Sequence, residues 1–119
     1  MTILDTLADH ARQRVAADRA QLPLEPLREL AQQGGRGSGG AFREALAAPG
    51  MRFICEVKKA SPSKGIISPD FPYLDIARDY AQAGADCISC LTEPKWFLGS
   101  DRIFTEIRQQ VRLPKLRKD

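Results

Sequence analysis

A chain of 119 residues is long enough for one modest domain around a single core, and nothing in it suggests two. Its formal net charge of +3 is mild, and its Lys and Arg residues are spread along the chain rather than interleaved with aromatics; this argues against a nucleic-acid partner and suits an anionic small molecule. No run of about 18 apolar residues offers a membrane span, the first residues lack a signal-peptide core, and an odd cysteine count of 3 argues against a disulfide framework, so the expected setting is the cytoplasm.

The spacing predicts a helix from Thr2 to about Ala20, with Thr2 as cap and Asp5 three residues on. Ile3, Leu4, Leu7, Ala8, Ala11 and Val15 form its apolar stripe. His10, the only histidine, falls on this helix and reads as a surface residue. Pro23 and Pro26 interrupt the pattern. A second short helix is expected over Leu24 to Gln33, ended by Gly34-Gly35. Gly35-Arg36-Gly37-Ser38-Gly39-Gly40 fits the Gly-x-Gly-x-x-Gly pattern, but a dinucleotide site needs a strand before it. Here a helix precedes, and the stretch reads as a flexible linker. Ala41 to Ala48 is a third short helix, closed by Pro49-Gly50.

From Met51 the rhythm becomes strand, loop, helix. A first strand is expected over Arg52 to Val57, followed by a long loop to Phe71. A helix then starts near Pro72, with Asp70 or Phe71 at the cap, an apolar face of Leu74, Ile76, Ala77, Tyr80 and Ala81, and Gly84 at its end. Asp86 to Leu91 reads as the second strand. Within it Cys87 and Cys90 sit three apart, on opposite faces, and read as core thiols rather than a redox or zinc pair. Thr92 to Gly99 is a loop. Ser100 caps a helix with core residues Ile103, Phe104, Ile107 and Val111, and Lys115 to Lys118 forms a third strand. Strands alternating with helices imply parallel pairing.

The end of the first strand is the stretch with chemistry. Glu56 and Lys58 are two residues apart and share a strand face, opposite Phe53, Cys55 and Val57. A surface salt bridge would account for this pair alone. Ser61-Pro62-Ser63-Lys64-Gly65 then supplies hydroxyls, backbone N–H groups and a cation.

Glu56-Val57-Lys58-Lys59-Ala60-Ser61-Pro62-Ser63-Lys64-Gly65 closely resembles the signature of the indole-3-glycerol phosphate synthase family. Leu91-Thr92-Glu93 with Phe97-Leu98-Gly99-Ser100, and Leu113-Pro114 with Leu116-Arg117-Lys118-Asp119, match further motifs in the expected order. The resemblance covers the whole chain, whereas the chain covers less than half of the family's enzyme. It implies an α/β fold, the first three strands and two helices of a TIM (β/α)8 barrel, which typically needs about 250 residues. Residues 1–50 would be the helical extension ahead of the barrel, and 51–119 its N-terminal portion.

In such barrels the site lies at the C-terminal ends of the strands. Glu56 and Lys58 end the first, Thr92 and Glu93 the second, Lys118 the third. The resemblance implies a carboxy-lyase of tryptophan biosynthesis. Its substrate is 1-(2-carboxyphenylamino)-1-deoxyribulose 5-phosphate, converted to indole-3-glycerol phosphate with loss of CO2 and water. By the same resemblance Lys118 is the general acid and Glu56 the carboxylate that holds the lysines. Lys58 contacts the substrate's anionic groups, Ser61 and its loop close over the ligand, and Phe97 and Thr92 line the site, although core packing explains the last two nearly as well. No cofactor, no metal and no membrane are expected. The family's general-base glutamate and most of its phosphate-binding backbone lie on later strands. The chain alone is therefore expected to be inactive and to self-associate through its open sheet. The other readings are a non-catalytic half-barrel that only self-associates and a Schiff-base aldolase using Lys58 or Lys118. Lys115 departs from the family by placing a charge where an apolar residue faces the helices, so either a frayed strand or a snorkelling side chain is expected.

Overall fold

The computed structural model describes residues 1–119 apart from Arg36 and Ser38. The glycine-rich stretch read as a linker therefore lies partly outside the described residues. The chain divides into two compact units, Met1–Gly39 and Gly40–Asp119. Among the described residues, no helix is long and apolar enough to cross a membrane.

The first unit holds α1 (Ile3–Gln21) and α2 (Leu24–Gln33). Thr2 and Asp5 form a reciprocal capping box: the Thr2 N–H donates to Asp5 Oδ2 at 2.8 Å, and the Asp5 N–H donates to Thr2 Oγ1 at 3.2 Å. These bonds from Thr2 hold the Asp5 carboxyl below its usual range. Neither helix has a buried residue, and within the α1 stripe Leu7, Ala8 and Ala11 are partly buried. Ile3, Leu4 and Val15 are more than half exposed. His10, expected at the surface, is partly buried.

The second unit opens with α3 (Ala41–Ala47), entered through Gly40 at φ +87. A parallel sheet follows in the order β1 (Ile54–Val57), β4 (Cys87–Leu91), β5 (Lys115–Lys118), joined through α4 (Tyr73–Gln82) and α5 (Asp101–Gln110). The sheet is mixed with helices in the expected α/β manner. Its three strands do not close into a barrel, so β1 and β5 are its edges.

The register decides what each face carries. Cys55 pairs with Ile88, Val57 with Cys90, Ile88 with Lys115, and Cys90 with Arg117. This row faces the helices: Val57, Ile88 and Cys90 pack with Phe71, Ala77, Ile107 and Val111. Each fully buried aliphatic side chain here, such as Ile88 or Ile107, contributes roughly 1.5–3 kcal/mol. The alternate row, Glu56 beside Ser89 beside Leu116, with Leu91 beside Lys118, lies on the other face. Ile54 and Leu116 of that face remain exposed, at 48% and 45%.

Three local expectations change. The loop after β1 contains a small antiparallel hairpin, β2 (Ala60–Ser61) with β3 (Gly65–Ile66), pairing Ala60 with Ile66 and Ser61 with Gly65. Gly65 supplies the φ of +63 that the turn requires. At the start of α4, Pro72 itself occupies the cap position without a side-chain bond, and buried Phe71 before it takes φ +35. The fixed ring of Pro72 ends the extended approach, so neither Asp70 nor Phe71 is needed as a cap. Finally, β5 is neither frayed nor reached by a snorkelling lysine. The Lys115 ammonium turns back to donate to the carbonyl oxygens of Val111 and of Leu113, the latter at 2.5 Å. It satisfies carbonyls at the C-terminal end of α5, where a cation is favoured. Burial, with the nearby charge of Arg108, pushes its pKa down.

Candidate active site

At the C-terminal ends of β1, β4 and β5 the second face of the sheet turns polar. Glu56 stands at the centre. Its Oε2 accepts from Lys118 Nζ at 3.1 Å and from Ser89 Oγ at 3.1 Å, and its Oε1 lies 3.5 Å from Lys58 Nζ. One carboxylate thus sits between two ammonium groups brought from two strand ends. Each side chain is partly exposed, with Glu56 at 30%, Lys58 at 33% and Lys118 at 51%, so the charges meet water and solvent screening moderates the pairs. Burial alone would raise the Glu56 carboxyl; the bond and charge of Lys118, with help from Ser89 and Lys58, hold it below the ordinary carboxylate value.

The backbone beneath these groups is fixed from both sides. Tyr80 of α4 donates its hydroxyl to the Glu56 carbonyl at 2.9 Å, and burial raises its own pKa. Thr92 donates its N–H to the Lys118 carbonyl at 2.7 Å and its hydroxyl to the same oxygen at 3.3 Å. Thr92 is buried, so its side chain acts here by anchoring the end of β5. At the opposite end of the strands, Asp86 accepts from the Phe53 N–H at 2.8 Å and from Arg52 at 3.1 Å. The N–H bond first, and then Arg52, hold the Asp86 carboxyl low. Arg52 also donates to the Ala48 carbonyl at 3.2 Å, tying the segment after α3 to the strand starts.

Of the residues singled out from the sequence, Glu56, Lys58, Thr92 and Lys118 come together. Ser61 and Phe97 belong to the two loops that follow β1 and β4. Ser61 is buried in the hairpin, where its hydroxyl accepts from the Lys64 N–H at 3.2 Å and lies 3.5 Å from Ser63 Oγ. Phe97 is half-buried, and its N–H donates to Glu93. Neither makes a hydrogen bond to Glu56, Lys58 or Lys118. Sequence reasoning did not find Ser89, whose only signal is a lone hydroxyl in an apolar strand. Its place beside Glu56 depends on the register between β1 and β4. It also noted Glu93 as a polar strand end without giving it a task. Among the described residues there is no group of three or more His, Cys, Asp or Glu side chains placed to hold a metal ion.

A carboxylate poised between two ammonium groups can orient proton donors toward a carbonyl oxygen and present cations to carboxylate or phosphate. The sequence profile described as indole-3-glycerol phosphate synthase matches residues 4–119. An indole-3-glycerol phosphate synthase of Ruminiclostridium cellulolyticum is 45% identical over 117 residues, covering 98% of this chain and 45% of the relative. That of Lacticaseibacillus paracasei is 49% identical over 117 residues, again covering 98% and 45%. That of Lactiplantibacillus plantarum is 44% identical over 119 residues, covering 98% and 44%. The chain thus spans somewhat less than half the length of these relatives, while they match it nearly end to end. With a profile match from residue 4 to residue 119, the chain belongs to the indole-3-glycerol phosphate synthase family.

Proposed function

We propose that this chain carries the N-terminal strands, and the general acid, of an indole-3-glycerol phosphate synthase acting in tryptophan biosynthesis in the cytoplasm. The observation that carries the reading is the Lys118–Glu56–Lys58 arrangement at successive strand ends, with Glu56 bonded to Lys118 at 3.1 Å. In the reaction, the aromatic carbon bearing the carboxylate of 1-(2-carboxyphenylamino)-1-deoxyribulose 5-phosphate attacks the sugar carbonyl. Lys118 donates a proton to the carbonyl oxygen as the new bond forms. Carbon dioxide leaves, and loss of water completes the indole ring. Lys58 offers a point charge to the anionic groups of the substrate. Glu56 holds both ammonium groups in place, and Ser89 steadies Glu56. Ser61 with its hairpin closes over the ligand, Phe97 lines the aromatic end, and buried Thr92 holds the end of β5 beside it. The helices ahead of Met51 serve as the extension of a (β/α)8 barrel whose first three strands are β1, β4 and β5.

The test is a chimera in which these 119 residues replace the corresponding part of the Ruminiclostridium cellulolyticum enzyme. The chimera is expected to form indole-3-glycerol phosphate, and the chain alone is expected to show no turnover. Lys118→Ala in the chimera is expected to lower kcat by about 10²–10⁴ with KM little changed, as for loss of one general acid. Near-normal turnover in that variant would remove Lys118 from the proposed role. For the chain by itself, the open edges at β1 and β5 favour self-association.

A further inference from the structure

The loop after β4 is built around one buried carboxylate. Glu93 is only 5% exposed. Its Oε1 accepts from the Lys95 N–H at 2.9 Å, and its Oε2 accepts from the N–H groups of Trp96 at 2.8 Å and Phe97 at 2.9 Å. Its backbone carbonyl accepts from the Gly99 N–H at 2.9 Å. Four bonds to one residue close the loop on itself. Charge-assisted bonds to three successive amides are stronger than neutral ones and fix direction as well as distance. The same loop holds Leu98 in the left-handed region at φ +53, a conformation a branched side chain adopts only when its surroundings impose it. Burying a carboxylate is costly unless it is fully bonded. Core packing would be served as well by an apolar residue at this position. The arrangement instead spends a charge on the shape of one loop beside Lys118 and Glu56.

We propose that Glu93 is a positioning residue: by holding the amides of residues 95–97 it sets the orientation of Trp96 and Phe97 at the strand ends, and so sets affinity for the aromatic end of the substrate. The inference rests on the synthase reading for its substrate but not for its geometry. The three amides that Glu93 holds all belong to its own loop, so its loss is expected to act on binding rather than on proton transfer. Gln at this position retains one acceptor oxygen, sufficient for the Trp96 and Phe97 amides. It turns an NH₂ group toward the Lys95 N–H, donor against donor. Ala retains no acceptor.

Two measurements test this. In the chimera, Glu93→Ala is expected to raise KM about tenfold or more with kcat within about threefold, and Glu93→Gln to fall between Ala and wild type. In the unmodified 119-residue chain, amide hydrogen exchange is expected to show protection at Lys95, Trp96 and Phe97, beyond that of exposed loop amides. A fall in kcat at unchanged KM overturns the proposal, as does rapid exchange at these three amides. If the variants fail to fold, exchange in the wild-type chain decides. An inactive wild-type chimera defeats the synthase reading, while exchange still judges the hold of Glu93 on its loop.

Discussion

At Gly99 the backbone of β4 leaves no room for a side chain. A Cβ added there would lie 2.2 Å from the Leu91 carbonyl oxygen, 2.6 Å from its carbonyl carbon and 2.9 Å from Thr92 Cα. All three are backbone atoms, so no side chain can swing aside. Ordinary contacts between such atoms are about 3.5 Å, which requires a displacement of roughly 1 Å at the end of β4 or in the loop. Overpacking of this kind costs about 1–3 kcal/mol. At roughly 4–8 °C per kcal/mol for a domain of this size, Gly99→Ala is expected to lower Tm by roughly 5–20 °C. The displaced atoms matter to the site, because the Thr92 N–H bonds the Lys118 carbonyl at 2.7 Å and Leu91 pairs with Lys118.

Thermal melting followed by far-UV dichroism, with the emission of Trp96, the only tryptophan, provides the assay. Gly84→Ala is the control. A Cβ at Gly84 meets nothing within 4 Å, but the φ of +96 is unfavourable to an L side chain. It is expected to cost about 1–2 kcal/mol and to leave Trp96 emission unchanged. Gly99→Ala is expected to shift both melting and emission. If Gly99→Ala melted within about 2 °C of wild type with unaltered emission, the close approach of Gly99 to β4 would be refuted.

Alkylation at neutral pH is expected to label the partly buried Cys55 first; Cys87 and Cys90 are buried, and burial together with the charge of Glu56 pushes the Cys90 thiol up to about 11. Peptide mass analysis showing Cys90 labelled as fast as Cys55 would contradict the packing of β4. Lys115→Met is expected to destabilise the fold by about 1–2 kcal/mol through loss of the bonds to the Val111 and Leu113 carbonyls; a variant more stable than wild type in thermal melts would show that burial of the ammonium outweighs its capping. Sedimentation across a concentration series is expected to show association of the chain, and a monodisperse monomer with strongly protected amides in β1, β4 and β5 would refute open sheet edges as its driving force.

Where a local rule decides, the elements could be read from sequence. The Thr2–Asp5 box and Ser100, whose hydroxyl accepts from the Ile103 N–H at 3.1 Å, mark helix starts by short-range bonding. The apolar faces of α4 and α5 end in the core as their periodicity requires. The hairpin of β2 and β3 was not legible, because its two-residue strands are too short to show alternation. The apolar stripe of α1 marks the limit of periodicity, which identifies an apolar face without saying how far it is buried. At the candidate site, Glu56 and Lys58 share a face by spacing alone. Bringing Lys118 and Ser89 to the same carboxylate needs the parallel register of the sheet, a long-range property.

The basic stretch Lys115-Leu116-Arg117-Lys118 shows how strand geometry divides one local charge pattern into separate tasks. Read along the chain, it is a small cationic cluster. Alternation sends Lys115 and Arg117 to the helix side of β5 and Lys118 to the other. Because α5 returns antiparallel to β5, those two cations meet opposite ends of that helix. Arg117 reaches Asp101 in the first turn of α5 at 2.8 Å, and Lys115 bonds the carbonyls of Val111 and Leu113 just past its end. Each charge pairing agrees with the helix dipole, an acid at the start and a cation at the finish. The two cations on the helix side are thus engaged with α5, and Lys118 is the cation that β5 presents to Glu56 on the other face. A charge change at 115 or 117 should therefore act on the seating of α5, and one at 118 on the cluster around Glu56.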